Sequence, residues 1–263
     1  MKTLRDQLNN SIYLKQKPNR IISLVPSQTE LLSELGLETE IIGITKFCIH
    51  PNYLKSQKEI IGGTKKINIP KIIELNPDLI IANKEENSKE DIELLQKVYP
   101  VWISNILNTN DLISMINSFG EIFEIEEKAK ILTSSINSEL KNIKHHLIHK
   151  KVLYLIWNKP IIVVGKKTYI DSQLKAIGLN NVVKKARYPK LEEIEIENPD
   201  LIFLSSEPYP FQEKHRKEFE EKFPNSKTII VDGEMFSWYG SRILKAIPYF
   251  RELKKTIIEQ TAL

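Results

Sequence analysis

The chain contains a single cysteine, Cys48, so an intramolecular disulfide bond is excluded. It also lacks long apolar runs. A representative long run, from Val152 to Trp157, is far shorter than the roughly 20 residues that cross a bilayer. The first 18 residues contain no apolar core segment and no small-residue cleavage site. From the sequence as written we therefore expect no secretory signal peptide: either the protein stays in the cytoplasm, or an export signal is absent from this sequence.

Several motifs of known chemistry are missing. The chain has no G-x-S-x-G nucleophile elbow, no phosphate-binding P-loop and no G-x-G-x-x-G dinucleotide fingerprint. Its 38 basic and 34 acidic residues leave a net charge of only +4, and no basic stripe is interleaved with aromatic residues. Nucleic-acid binding is therefore not predicted.

The residues that are present indicate a soluble α/β protein. The 263 residues are 41% hydrophobic and 27% charged, which suits one large domain or two lobes. Continuous apolar runs typical of strands buried on both faces alternate with helical patterns, which predicts parallel sheets. The clearest such runs are Arg20–Val25, Glu40–Thr45, Asp78–Ala82, Lys151–Trp157, Asp200–Ser205 and Lys227–Asp232.

The five residues Asn-Pro-Asp-Leu-Ile occur twice, beginning at Asn76 and at Asn198, which are 198 − 76 = 122 positions apart. Each copy predicts a short helix that ends at Asn-Pro and a buried strand that begins at the aspartate. The second of these helices is predicted over Leu191–Pro199. The repeat indicates two similar lobes, although the same joint also recurs by chance in α/β proteins.

A single long helix is predicted between the two copies. Residues 125–147 contain no glycine or proline, and one apolar stripe runs along them at helical spacing. We therefore expect an N-terminal α/β lobe over residues 1–121, an interlobe helix over 122–150 and a C-terminal α/β lobe over 151–263. The stripe consists of Leu132, Ile136, Leu140, Ile143 and Leu147.

Aromatic residues concentrate in the segments that follow the predicted strands, where parallel α/β sheets bind ligands. Such rings suit a large planar or apolar ligand. The alternative is that rings such as Phe47 and Phe236 cap the lobe cores. We predict ligand contacts from the rings Phe47, Trp157, Tyr188, Tyr209, Phe236, Trp238 and Tyr239, and from the polar residues His50, Lys84, Glu86, Arg187 and Glu207.

Two other kinds of site are weaker alternatives. Cys48 and His50 lie two residues apart, but a nucleophile pair also needs a third, orienting group, so we favour a packed or ligand-contacting His50. His145 and His149 have a spacing that could grip zinc, yet no third ligand is near in sequence. We therefore assign no catalytic residue, no metal ligand and no tightly bound cofactor. A zinc or manganese receptor, or a cytoplasmic enzyme or chaperone using Cys48, His50 and Glu86, remain the alternatives.

Acidic segments occupy corresponding places in the two predicted lobes, over residues 85–91 and 192–197. They could dock on basic sockets of a membrane protein. Acidic first turns that complement helix dipoles explain either segment equally well.

The stretch from Arg20 to Phe47, the two Asn-Pro-Asp-Leu-Ile joints and Ser237–Arg242 together resemble a known family over nearly the whole chain. The chain is similar to the substrate-binding proteins of cobalamin and iron-siderophore ABC importers, the helical-backbone metal-receptor superfamily, with the vitamin B12-binding branch nearest. The resemblance implies two Rossmann-like lobes with parallel sheets joined by a single long interlobe helix, the class III periplasmic-binding-protein fold. It also implies a monomer in the periplasm or cell envelope.

The resemblance further implies a corrinoid, haem or ferric siderophore held in a cleft by aromatic residues, and delivery to an ABC importer permease. Phe47 and Tyr188 match cleft aromatics, and Arg242 matches an arginine after the last strand. Asn83 stands where B12 binders have a second tryptophan. Docking glutamates are expected at Lys89 or Glu90 in the first lobe and at Glu192 or Glu193 in the second.

Overall fold

The computed structural model describes residues 2–143 and 149–261. Within these ranges, no helix combines the length and apolar character of a membrane-spanning segment. The chain divides into two compact units, and each takes segments from more than one part of the sequence. The first unit comprises residues up to Ile106, Asn110–Ser134 and Tyr239–Arg242; the second comprises Leu107–Thr109, Ser135–Trp238 and the residues from Ile243 onward.

The first unit is built on a five-stranded sheet. Its strands are β3 (Ile21–Ser23), β4 (Ile41–Ile44), β5 (Glu59–Ile60), β6 (Leu79–Asn83) and β7 (Val101–Ser104). They lie in the order β5-β4-β3-β6-β7, and all neighbours are parallel. A separate antiparallel hairpin pairs β1 (Lys2–Arg5) with β2 (Ser11–Leu14).

Five helices lie wholly or mainly in the first unit, and a sixth continues into the second. The sixth helix, α6, passes from the first unit to the second between Ser134 and Ser135. The helices are α1 (Pro26–Glu34), α2 (Leu54–Gln57), α3 (Ile69–Leu75), α4 (Lys89–Gln96), α5 (Thr109–Phe123) and α6 (Glu126–Ile143).

The second unit repeats the parallel arrangement. Strands β8 (Lys151–Trp157), β10 (Asn180–Asn181), β11 (Leu201–Ser205) and β12 (Lys227–Val231) lie in the order β10-β8-β11-β12. All three neighbouring pairs are parallel, while the short β9 (Ile162–Val163) runs antiparallel to β8. The helices are α7 (Tyr169–Ala176), α8 (Glu213–Lys222), α9 (Gly233–Ser237) and α10 (Ile243–Thr261).

The central strands carry the core, as their continuous apolar sequences predict. Every residue of β3, β6 and β11 is buried, because both faces of a parallel sheet are covered. The predicted apolar stripe of α6 is confirmed for Leu132, Ile136, Leu140 and Ile143, which are all at most 9% exposed. Leu147, and the predicted helix beyond Ile143, fall within residues 144–148, outside the described part of the chain.

The repeated aspartate has the same role in both units. Asp78, just before β6, accepts hydrogen bonds from the backbone N–H groups of Asn19 (2.9 Å) and Arg20 (3.0 Å), which lead into β3. Asp200, just before β11, accepts one from the N–H of Lys151 (2.6 Å), the first residue of β8. Each carboxylate therefore ties together the first residues of two neighbouring parallel strands.

The prediction of a helix over Leu191–Pro199, before the second Asn-Pro-Asp-Leu-Ile segment, is wrong. In the first copy α3 ends at Leu75 and Asn76 takes a left-handed conformation, as predicted for a helix end. In the second, only Leu191–Glu193 form a short 3₁₀ turn, and Ile194 is already extended. The reason is the two-residue alternation of glutamate and isoleucine, in which Ile194 and Ile196 both pack on the core of the second unit.

Another difference concerns the start of the central helix. The stretch without glycine or proline predicts a helix from about residue 125, and α6 begins at Glu126, whereas residues 122–123 of the expected interlobe segment still belong to α5. Glu124 between them has a φ of +54°, a left-handed conformation that ends the first helix.

Replacing Asp78 by alanine is expected to lower the free energy of unfolding by about 1–3 kcal/mol, because two backbone N–H groups lose their acceptor. Asp200→Ala should lower the free energy of unfolding by less, because only the hydrogen bond from the Lys151 N–H is lost. Urea denaturation of both variants checks this, with Glu93→Ala, which breaks only an exposed ion pair with Lys89, as the control. Midpoints equal to that of the control would contradict the role assigned to the two aspartates.

Candidate functional site

Three neighbouring strands of the second unit end at the same edge of its sheet, because β8, β11 and β12 are parallel. Trp157 is the last residue of β8. Glu207 and Tyr209 follow β11, and Trp238 follows α9, the short helix after β12. This edge, with Trp157, Glu207, Tyr209 and Trp238, is called the aromatic edge below.

The carboxylate of Glu207 is held by two donors from the end of α9. Its Oε1 accepts hydrogen bonds from Ser237 Oγ (2.7 Å) and Trp238 Nε1 (3.0 Å). The approach requires glycine at position 233, where a Cβ atom would lie 2.5 Å from Glu207 Cγ and 2.4 Å from Ser205 Oγ. No hydrogen bond from the described residues reaches Oε2, and none of them forms an ion pair with this carboxylate.

The electrostatic surroundings of Glu207 disfavour its charge. Burial raises the pKa of this carboxyl, and the negative charges of Glu234 and Asp232 raise it further. The hydrogen bonds from Ser237 and Trp238 act in the opposite direction without cancelling the effect. A carboxyl with a raised pKa at the carboxyl end of a parallel sheet is typical of a functional site.

Two rings of the aromatic edge, those of Trp157 and Tyr209, contact each other. Trp157 and Tyr209 meet edge to face, with 5.7 Å between ring centroids, and Phe211 lies 4.8 Å from Tyr209. Trp157 remains 39% exposed, and its indole N–H donates to the carbonyl of Lys159 (3.1 Å). The edge therefore offers a rigid, partly exposed aromatic surface.

Phe236 has a different environment from the other predicted rings. It is fully buried and packs against Tyr154 (5.2 Å between centroids) and Phe250 (4.8 Å). This geometry fits the alternative that Phe236 caps the core beneath α9.

Arg187 and Tyr188 lie on a segment that pairs with the residues after β9. Arg187 donates its backbone N–H to the carbonyl of Lys166 (2.8 Å) and accepts from the N–H of Gly165 (2.7 Å). Both side chains are exposed, and Tyr188 has 36% of its surface accessible.

In the first unit, Glu86 and Tyr239 join a buried polar network. The Tyr239 hydroxyl donates to Glu86 Oε1 (3.0 Å) and accepts from Gln28 Nε2 (3.1 Å). Asn83 accepts from the backbone N–H groups of Glu85 and Glu86 and donates to Ser104 Oγ (2.9 Å). Burial, reinforced by the Glu86 charge, raises the pKa of Tyr239 well above its ordinary value, so this hydroxyl stays a neutral donor.

Arg242 forms a two-bond ion pair with a helix residue that the sequence prediction missed. Its Nε lies 2.7 Å from Glu30 Oε2 and its Nη2 lies 3.0 Å from Glu30 Oε1, and both side chains are 5% exposed. Gly240, at φ +110°, lets the chain pass close to α1, since a Cβ atom there would lie 3.2 Å from the Ser27 carbonyl oxygen. The pair thus anchors Tyr239–Arg242 to the first unit.

The other predicted residues of the first unit are more exposed. Phe47 is 50% exposed, with the Lys46 ammonium 5.1 Å from its ring centroid. His50 is half-buried and precedes Pro51, and Lys84 is exposed just after β6.

Cys48 does not have the surroundings of a nucleophile. It is fully buried, and its Sγ contacts the hydroxyls of Thr29 (3.1 Å) and Thr45 (3.3 Å). Burial raises the pKa of the thiol, which disfavours the reactive thiolate. In the described ranges, no group of three or more histidine, cysteine, aspartate or glutamate residues is arranged to hold a metal ion. His145 lies outside those ranges.

The glutamates predicted to dock are all exposed. Glu90 lies in the first turn of α4 and accepts from Ser88 Oγ (2.8 Å); its own backbone N–H and this bond lower the pKa of its carboxyl. Glu192 and Glu193 form the 3₁₀ turn and pair loosely with Lys190, at 3.8 and 3.5 Å. This geometry fits two alternatives equally well: the glutamates complement the dipoles of helical turns, or they dock on basic sockets of a membrane protein.

Residues 21–229 match the model of the family described as periplasmic binding protein. The chain belongs to the periplasmic binding protein family. It is 26% identical over 277 residues to an uncharacterized ABC transporter substrate-binding lipoprotein, YvrC, of Bacillus subtilis, covering 98% of this chain and 86% of that protein. It is also 26% identical over 194 residues to a vitamin B12-binding protein of Vibrio campbellii, covering 71% and 70%.

Solved structures of periplasmic binding proteins share the fold. A periplasmic haem-binding protein from Pseudomonas aeruginosa superposes with a TM-score of 0.74 at 18% identity, covering 89% of this chain and 91% of that one. The predicted resemblance of the chain to substrate-binding proteins of ABC importers is therefore confirmed. Its predicted fold class, α/β with parallel sheets, is also confirmed.

Breaking the buried ion pair is expected to destabilise the first unit strongly. Arg242→Met or Glu30→Met removes one partner of a buried two-bond ion pair and should lower the free energy of unfolding by about 3–5 kcal/mol, because the remaining charge stays buried without it. The double variant should lose less than either single variant, because no charge is then stranded. A double-mutant cycle by chemical denaturation measures this, and additive losses would contradict a direct pair.

The raised pKa of Glu207 predicts a pH-dependent effect of Glu207→Gln. The native state binds the carboxyl proton more tightly than the unfolded state, so this group's stabilising contribution is present below the ordinary value of 4.5 and is lost as pH rises through the raised value. The glutamine keeps an oxygen acceptor for Ser237 and Trp238. The variant should therefore gain stability relative to the parent at pH 7 but not at pH 4, as measured by thermal unfolding. An equal difference at both pH values would be the contrary result.

Proposed function

We propose that this protein is the substrate-binding component of an ABC importer and that it binds a metal–organic chelate. The family is one of binding proteins, and one relative is named as an ABC transporter substrate-binding lipoprotein. The names of other relatives specify vitamin B12 and haem. The exposed Trp157 and the half-buried Tyr209 and Trp238 of the aromatic edge suit such a ligand, because large planar or apolar molecules bind best to rigid aromatic surfaces.

The residues proposed to contact a ligand are given for each unit by itself. In the second unit, Trp157, Glu207, Tyr209 and Trp238 form the aromatic edge, and the exposed Arg187 and Tyr188 add to the contact set. In the first unit, the proposed contacts are Phe47, His50, Lys84 and the network of Glu86 and Tyr239. Arg242 and Phe236 support these surfaces from within their units.

Glu207 is the residue from which we infer the class of ligand. Its Oε2 is open, and its charge is opposed by burial and by two neighbouring carboxylates. A ligand that presents N–H donors satisfies this oxygen, whereas a ligand that presents carboxylates meets the negative charges of Glu234 and Asp232. A corrinoid carries peripheral carboxamides, while haem carries propionate carboxylates and many ferric siderophores are anionic. The carboxylate therefore favours a corrinoid, and haem is the second candidate on the strength of the shared fold.

Delivery would use a permease in the membrane, which places the protein in the cell envelope, as the names of its relatives suggest. Glu90 and either Glu192 or Glu193 are the proposed docking carboxylates because all three are exposed. Fractionation of the native host tests the location: recovery only in the cytoplasm would refute the importer role.

Calorimetric titration with cyanocobalamin, dicyanocobinamide, haem and a ferric siderophore tests the ligand. We expect at least one corrinoid to bind at micromolar concentration or better. Trp157→Ala should weaken that binding tenfold or more, since each tenfold change is about 1.4 kcal/mol and burial of an aromatic ring exceeds this. Failure of every ligand to bind would refute the proposal.

Two further variants are titrated with the same ligands, one as a control and one as a test of ligand preference. Tyr13→Ala removes another exposed ring, 59% accessible on the β1–β2 hairpin, and should leave affinity unchanged. Glu207→Gln replaces the carboxyl by an amide that can donate an N–H to a ligand carboxylate, so the preference for corrinoid over haem should fall. An unchanged preference would contradict the role assigned to Glu207.

A further inference from the structure

The hydroxyl of Tyr209 is surrounded by nitrogen groups on the protein side. Its Oη lies 3.1 Å from His215 Nε2 and 3.4 Å from Asn158 Nδ2. His215 is 5% exposed and lies in the first turn of α8, while Asn158 follows β8. The direction of each hydrogen bond decides what the hydroxyl can offer to a ligand.

The backbone fixes the tautomer of His215. The N–H of Gln212, just before α8, donates to His215 Nδ1 at 2.9 Å. A backbone amide is always a donor, so Nδ1 must carry the lone pair and the proton of the neutral ring lies on Nε2. The opposite tautomer would place two N–H groups face to face at that distance.

His215 Nε2–H therefore donates to Tyr209, and so does the Asn158 amide, whose Nδ2 carries only donors. These two bonds occupy both lone pairs of the Tyr209 oxygen. The hydroxyl proton must then point elsewhere, and among the described residues no acceptor for it is found. Tyr209 is half-buried, so part of its side chain remains accessible.

We propose that Tyr209 is a dedicated hydrogen-bond donor to an oxygen atom of the bound ligand, and that His215 and Asn158 are the positioning residues that hold it in this role. The inference rests on the proposed function, because it requires a ligand on the aromatic edge. Beyond that function, the inference assigns a specificity-determining contact to Tyr209 and a positioning role to His215 and Asn158.

The neighbouring Glu207 offers the opposite polarity. Two peptide units separate the two residues, so their Cα atoms lie at most about 7 Å apart. One side chain accepts through Oε2 and the other donates through its hydroxyl. A carboxamide presents both an N–H donor and a carbonyl acceptor and can satisfy both groups, whereas a carboxylate satisfies only Tyr209. The pair therefore fits a carboxamide-bearing ligand.

The tautomer is tested without any ligand. Long-range proton–nitrogen NMR correlation on the ¹⁵N-labelled protein at neutral pH, assigned with His215→Gln, should show the proton of His215 on Nε2. A proton on Nδ1 would overturn the inference even if the protein binds a chelate, so this failure is distinct from a failure of the proposed function.

The donor role is tested by binding of dicyanocobinamide, which carries carboxamides. Tyr209→Phe should weaken binding about tenfold, because one hydrogen bond to the ligand is lost. His215→Met removes the donor that orients Tyr209 and should weaken binding severalfold. His215→Gln should retain most of the affinity, because its amide can accept from Gln212 and donate to Tyr209 as the imidazole does.

A double variant separates positioning from a general structural effect. If His215 acts through Tyr209, His215→Met should change affinity less than twofold in the Tyr209→Phe background. Equal losses in both backgrounds, or unchanged binding by Tyr209→Phe, would overturn the proposal. If the parent protein binds none of the chelates, both this inference and the proposed function fail.

Discussion

Parallel pairing of β8, β11 and β12 is the constraint on which the candidate site of the second unit depends. Because the three strands run in one direction, Trp157 and the segments carrying Glu207, Tyr209 and Trp238 emerge at one edge. The Asp200 carboxylate ties the starts of β8 and β11, and their interiors are almost entirely buried. A slip of one residue would move every side chain of a strand to the opposite face of the sheet, away from its packing partners, so the same packing that stabilises the sheet also fixes the site.

The polar groups of the two units differ in what they leave open. In the first unit, the Arg242 guanidinium pairs with both oxygens of Glu30, and the Tyr239 hydroxyl both donates and accepts within the protein. In the second, Glu207 Oε2 and the Tyr209 hydroxyl have capacity that the described residues do not use. Satisfied buried networks stabilise a fold, whereas open polar groups beside exposed rings are typical of ligand surfaces.

The sequence was sufficient for the parallel sheets, because β3, β6, β8 and β11 are apolar on both faces. The prediction of a helix over Leu191–Pro199 failed because two sequence signals competed. The alternation of Glu193 to Glu197 indicated an extended segment, but the following Asn-Pro favoured a helix end. It could not predict the pairing of Glu30 with Arg242, which lie 212 residues apart. The network around Asn83 was missed although an asparagine at a strand end is a common turn signal. The tautomer of His215 depends on the path of the backbone at Gln212, which no residue pattern specifies.

The chain has three tryptophans in different environments, which allows one direct measurement of the central claim that a chelate binds on the aromatic edge. Trp157 is 39% exposed, Trp238 donates to Glu207, and Trp102 is fully buried against Phe119 in the first unit. Fluorine NMR of 5-fluorotryptophan-labelled protein should show the signals of Trp157 and Trp238 shifting on addition of dicyanocobinamide, with that of Trp102 unchanged. Saturable binding that leaves both Trp157 and Trp238 unshifted would contradict the account.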